Sequence, residues 1–137
     1  MNKKNLKIII YLNADTIIKL NKLAIKLFVQ KKADSHEVLN YSRILKIINK
    51  CEETKGDIYD KAVILLKGLV QYHAFASGNR RTAILATIVF CIWNKQKVYI
   101  PNNPTNSKVL IGIREDFYSN NKIKNWIKNG KIKTFKR

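Results

Sequence analysis

Residues 83–93 read Ala-Ile-Leu-Ala-Thr-Ile-Val-Phe-Cys-Ile-Trp, a run with no charge and no turn signal. Its β-branched members suit a buried strand as well as a helix. Length decides for the helix, because a strand is usually about five or six residues long. A segment apolar on every side cannot lie on a surface, so it is expected to be the central helix with the others wrapped around it. The longest uncharged stretch, residues 82–94, has 13 residues and falls short of a membrane span.

Upstream of that run, Ala62, Leu65, Leu66, Leu69, Val70 and finally His73 repeat along one helical face, with Asp57 placed to cap the helix start. The histidine is thereby expected at the helix end, facing the core. An earlier helix is predicted over residues 14–30, with Asn13 as N-cap, Asp15 in the first turn, and Ile17, Leu20, Ala24, Leu27 and Phe28 at helical spacing. Between the two, Val38, Tyr41, Leu45 and Ile48 predict another helix that ends near Gly56. Downstream, Val98, Tyr99 and Ile100 are expected to pair as a short strand with residues 8–11, and residues 101–104 form a turn. Two small helices close the chain, one from Thr105 or Ser107 to about Phe117 and one over residues 121–128 with Ile123, Trp126 and Ile127 inward. The basic tail, residues 129–137, has little to bury and is expected to fray. The reading is an all-α single domain over residues 1–137, around a central buried helix, with one minor β pairing.

A chain of 137 residues can bury a real core without disulfides. Lys+Arg 27 against Asp+Glu 9 gives a net charge of +18, which raises nucleic acid or an anionic surface as a partner. The make-up of the charge weakens that inference. Of the 27 basic residues 22 are Lys, and they accompany 15 Asn and 20 Ile, a trio written by A/T-rich codons, so a solvated lysine face is the favoured reading over nucleic-acid contact. Cys51 and Cys91 match no metal-ligand spacing and read as ordinary buried thiols. The apolar stretch at residues 8–12 is too short for a signal core. The expectation is a soluble, cytoplasmic protein.

Chemistry concentrates in residues 73–82, His-Ala-Phe-Ala-Ser-Gly-Asn-Arg-Arg-Thr. The chain has only two histidines and five arginines, yet Arg80 and Arg81 stand side by side here, where forked donors suit phosphate oxygens better than lysine does. The first amides of the following helix lack intrahelical partners and its dipole adds partial positive charge, so the loop is a prepared anion cradle. Gly78 permits a turn or close approach of a ligand, and Asn79 either caps the helix or holds the loop. A histidine across such a cradle can take a proton from an incoming hydroxyl while the cradle stabilises charge on the phosphoryl group. His36 has no partner motif and reads as a surface residue.

His73, Phe75, Gly78, Asn79, Arg81, Thr82 and Ala83 together resemble the Fic/Doc signature, His-x-Phe-x-Asp/Glu-Gly-Asn-x-Arg followed by Thr-Ala in the death-on-curing branch. The resemblance implies an all-α fold with His73 as general base, Asn79 orienting the loop, Arg81 on nucleotide phosphates and Phe75 as the buried anchor of the motif. Two positions depart from the pattern. Ser77 stands where the family's acidic residue holds Mg²⁺, so any metal contact from it is weak and uncharged. Arg80 stands where nucleotide-transferring members have glycine and Doc-type members lysine, which tilts the expectation to phosphate transfer. The implied protein is a Doc-like toxin of a toxin–antitoxin pair that moves phosphate from ATP, with Mg²⁺, to a hydroxyl of a translation protein such as an elongation factor. The alternatives are adenylyl or nucleotidyl transfer, and a degenerate Fic/Doc fold that binds nucleotide or nucleic acid without chemistry.

Overall fold

The computed structural model describes residues 8–27 and 35–136. Among them run six helices, α1 (Ala14–Leu27), α2 (Tyr41–Glu53), α3 (Ile58–Gln71), α4 (Asn79–Trp93), α5 (Asn106–Arg114) and α6 (Asn120–Asn129). No strand forms among the described residues; one isolated antiparallel bridge joins Val38 and Phe75. The fold is all-α.

The helices begin where polar caps stand. Asn13 Oδ1 accepts the amide of Thr16 at 2.8 Å and starts α1, whose expected extension through residues 28–30 lies outside the described residues. At α3, Asp57 accepts the Asp60 amide at 3.0 Å while Asp60 Oδ2 accepts the Asp57 amide at 2.8 Å, a reciprocal capping box. Lys124 of α6 reaches back to the same two carboxylates, 2.9 Å from Asp60 and 3.5 Å from Asp57.

A central buried helix exists, and it is α3 rather than α4. Nine of the 14 residues of α3 are buried against six of 15 in α4, and α3 packs on α2, α4, α5 and α6. Helix α4 sinks Thr82, Ala83, Ala86, Thr87, Phe90 and Cys91 against α3 and α1, but Ile92 is 60% exposed and Trp93 44%. Its uniform apolarity concealed which face is inward. Polar letters likewise concealed the centrality of α3, since its buried set includes Lys61, whose Nζ donates to the carbonyls of Glu52 at 3.1 Å and Thr54 at 2.5 Å. That lysine closes the C-terminus of α2, where unpaired carbonyls and the dipole favour a cation.

Three further expectations are corrected. Helix α2 buries Ile44, Ile47 and Cys51, not the Tyr41–Leu45 side, which is exposed. Gly68 of α3 selects that face, because a Cβ there would stand 2.8 Å from both Cγ1 and Cγ2 of Ile47. Residues 98–100 do not pair with residues 8–11. Instead the Asn94 side chain clasps Ile10, accepting its amide at 2.9 Å and donating to its carbonyl at 2.8 Å, while the Tyr99 amide donates to Ile127. The tail does not fray over its described residues: Tyr118 Oη donates to the Lys133 carbonyl at 2.6 Å, and Phe135 packs 4.9 Å from the Phe117 ring. Cys51 and Cys91 are free buried thiols, and burial pushes them up to about 11 and about 12. No described helix is long and apolar enough to cross a membrane.

Candidate active site at the α3–α4 loop

Helix α3 stops at Tyr72, whose amide donates to the Gly68 carbonyl at 2.9 Å. His73 then takes a left-handed backbone conformation, φ 51°, which a non-glycine residue adopts only at a cost of order 1 kcal/mol. The turn swings His73 out to solvent, so it does not continue the buried face of α3 as expected. Immediately after it, Ala74 and Phe75 are fully buried, so the first part of the loop is set into the core.

The loop is held from two sides. Residues 35–40 run antiparallel to it: the Leu39 and Asn40 amides both donate to the Ala74 carbonyl, at 2.8 and 3.2 Å, and the Ala76 amide donates to the Glu37 carbonyl at 3.0 Å. Across the loop, Asn79 Oδ1 accepts the Phe75 amide at 3.1 Å and its Nδ2 donates to the Phe75 carbonyl at 2.9 Å. Of the two roles open to Asn79 in sequence, it holds the loop. The cap position belongs to Gly78, φ 76°, which offers no side-chain cap, so the amides that open α4 receive nothing from it.

Asn21 of α1, fully buried, binds the loop from beneath. Its Nδ2 donates to the Ser77 carbonyl at 2.8 Å and to Thr82 Oγ1 at 3.0 Å, and its Oδ1 lies 2.7 Å from His36 Nδ1. The carbonyl of Ser77 fixes which end of the amide is nitrogen, so Oδ1 must face the imidazole and His36 Nδ1 must carry the hydrogen. Sequence reasoning placed His36 on the surface, where it is, but missed its partner. The signal available was an asparagine at a core-phase position of α1, between Ile17 and Ala24.

Arg81 is half-buried, with Nη2 3.7 Å from the point a Gly78 Cβ would occupy. Arg80 is exposed as a residue, yet its guanidinium is held below the usual arginine value, first by partial burial and then by the charges of Arg114 and Arg81. Arg114, on α5, is a contributor that no contiguous motif could reveal. Arg114 is itself paired with Glu115 at 3.5 Å, so the cations that stand at the start of α4 are Arg80 and Arg81, an adjacent pair suited to phosphate oxygens.

The Fic/DOC family model matches residues 11–91, which spans α1 through most of α4 and well over half of the chain. The chain belongs to the Fic/DOC family. A search of curated proteins found no match. As a Fic/DOC domain it has the Fic-type fold of a family whose members are typically transferases. The loop, Asn21 and His36 all lie within the matched span; Arg114 lies beyond it.

The site fits a phosphate better than it fits a protein-held cation. Among the described residues no three His, Cys, Asp or Glu side chains gather around a common point. Ser77 offers a neutral hydroxyl, and that oxygen already accepts the Ser35 amide at 3.3 Å. Hard divalent cations are normally held by at least one carboxylate, so these residues do not fit a carboxylate-bound Mg²⁺.

Proposed function

We propose that this Fic/DOC domain is a Doc-like phosphotransferase that moves the γ-phosphate of ATP to a hydroxyl on a protein of the translation machinery, as the toxin of a toxin–antitoxin pair. The observation that carries the reading is the loop from His73 to Arg81, which sets an outward histidine at one end and an uncapped helix start with two arginines at the other. In the proposed step the acceptor hydroxyl oxygen attacks the γ-phosphorus. Its proton passes to a ring nitrogen of His73, the new O–P bond forms, and the bond from the γ-phosphorus to the bridging oxygen breaks, so ADP leaves with the electron pair. The amides of Gly78 and the first turn of α4 act as the anion hole, and Arg80 and Arg81 hold phosphate oxygens. Asn79 keeps the hole in shape through its two bonds to Phe75. Mg²⁺ would enter on the nucleotide's own phosphates, and the neutral Ser77 Oγ would add at most a weak protein contact to it.

Arg80 favours phosphate over nucleotide transfer, because a bulky cation at the second position of α4 leaves less backbone open to close phosphate approach than a glycine would. The test is transfer from ATP labelled at the α- or the γ-phosphate to proteins of a bacterial lysate. Wild-type protein is expected to transfer γ-label, and His73→Ala to transfer none while keeping its helical circular dichroism. Transfer of α-label instead assigns nucleotidyl transfer. Equal transfer by wild type and His73→Ala would remove His73 from the chemistry. ATP binding without transfer of either label, with transfer appearing in Ser77→Asp, would identify a binding fold that has lost catalysis.

A further inference from the structure

We infer that His36 is a second functional imidazole of this site, an oriented acceptor for a substrate hydroxyl; the inference rests on the transferase reading above. Three observations carry it. First, the ring is fixed. Its Nδ1–H points to Asn21 Oδ1 at 2.7 Å, and Asn21 cannot rotate, because it is fully buried with Nδ2 committed to Ser77 and Thr82. An exposed histidine held by a saturated buried amide is the arrangement by which imidazoles are oriented for work elsewhere. Second, the free nitrogen has a defined character. With the hydrogen committed to Nδ1, the neutral ring carries its lone pair on Nε2, and no described residue bonds that atom. Third, the ring stands at the reacting loop. The Val38–Phe75 bridge and the Ala76–Glu37 bond set an antiparallel register in which His36 lies opposite Ser77, the residue before the anion hole.

The two histidines thus differ in kind. The structure records no hydrogen bond for the His73 ring among the described residues, which leaves it free to turn with a proton, whereas the His36 ring is locked by Asn21 and in its neutral form can only accept at Nε2. A locked acceptor beside a phosphate cradle suits a hydroxyl, and two substrate hydroxyls qualify: those of the nucleotide ribose and that of the acceptor protein.

The experiment compares wild type with His36→Ala in calorimetric binding of ATP and of 2′,3′-dideoxy-ATP, and in γ-label transfer to lysate at saturating ATP. If the hydroxyl is the ribose's, His36→Ala weakens ATP binding about fivefold to tenfold and leaves dideoxy-ATP unchanged. If it is the acceptor's, both nucleotides bind as in wild type and transfer falls by a similar factor. Unchanged binding together with unchanged transfer overturns the inference. So does an equal loss of ATP and dideoxy-ATP, which would mean that the loop had merely shifted. Failure of wild type itself to bind ATP would instead bring down the transferase reading, and this one with it.

Discussion

Gly78 shows how much of the site depends on one residue. Its φ of 76° favours glycine, and a Cβ there would stand 3.2 Å from Ile25 Cγ1 and 3.4 Å from Asn21 Nδ2. Gly78→Ala therefore carries left-handed strain and presses on the amide that holds Ser77 and His36. The unfolding free energy in urea is expected to fall by about 1–2 kcal/mol, and, on the proposed function, ATP binding to weaken because the amides that open α4 are displaced. A variant with the wild-type denaturation midpoint would show that the loop tolerates the side chain and that the glycine is not needed for its shape. The residues of the loop were legible in sequence because they are contiguous, and adjacency alone puts His73, Phe75, Gly78, Asn79, Arg80 and Arg81 in one nine-residue segment between α3 and the first turn of α4. Asn21 is 56 positions from the Ser77 carbonyl it binds, and only tertiary packing makes that contact.

At the scale of elements, periodicity located the helices and caps located their starts, but neither could rank competing faces. Helix α2 carries two apolar series, and Gly68 on a different helix decides between them. The uniform apolarity of α4 gave no face at all, and the lysine in α3 disguised the most buried helix. The start of α3 was legible at Asp57, while the role of Lys124 was not, since it comes from α6. That pairing has a consequence for acid stability. The Lys124 hydrogen bond, more than any other contact, holds the Asp60 carboxyl below its usual value, against the opposing pull of burial. A carboxyl depressed in the folded state stabilises fully above its unfolded value, about 3.9, and that contribution drains away as pH falls through the lower folded value. The unfolding free energy should therefore fall as pH drops from about 5 to 3, and fall less steeply in Asp60→Asn, when both are measured by urea titration. Equal slopes in the two proteins would exclude the α3–α6 link as an acid-sensitive element.

For the molecule as a whole, one hydrophobic cluster takes residues from all six helices and from the descent of the tail, with Ile132 and Phe135 packed against it. The sequence suggested a frayed tail because four basic residues there outnumber the apolar ones. Two apolar side chains suffice when a groove awaits them: at Gly112 a Cβ would stand 2.8 Å from Phe135 Cβ, so the helix surface is open there for the ring. The tail thereby braces α5, which packs on α3, the helix that leads into the loop. If the tail belongs to the same cooperative unit as the core, Phe135→Ala should lower the unfolding free energy by about 1–2 kcal/mol. It should also shift the midpoints seen by Trp fluorescence and by far-ultraviolet circular dichroism by the same amount. Trp fluorescence reports from the buried Trp126 on α6 and the half-exposed Trp93 at the end of α4, and the dichroism from all the helices, so coincident shifts would mean that the tail is coupled to the core that positions the site. An unchanged midpoint would detach the tail from that core, and would leave the packing of α3, α4 and α1 alone to position the loop.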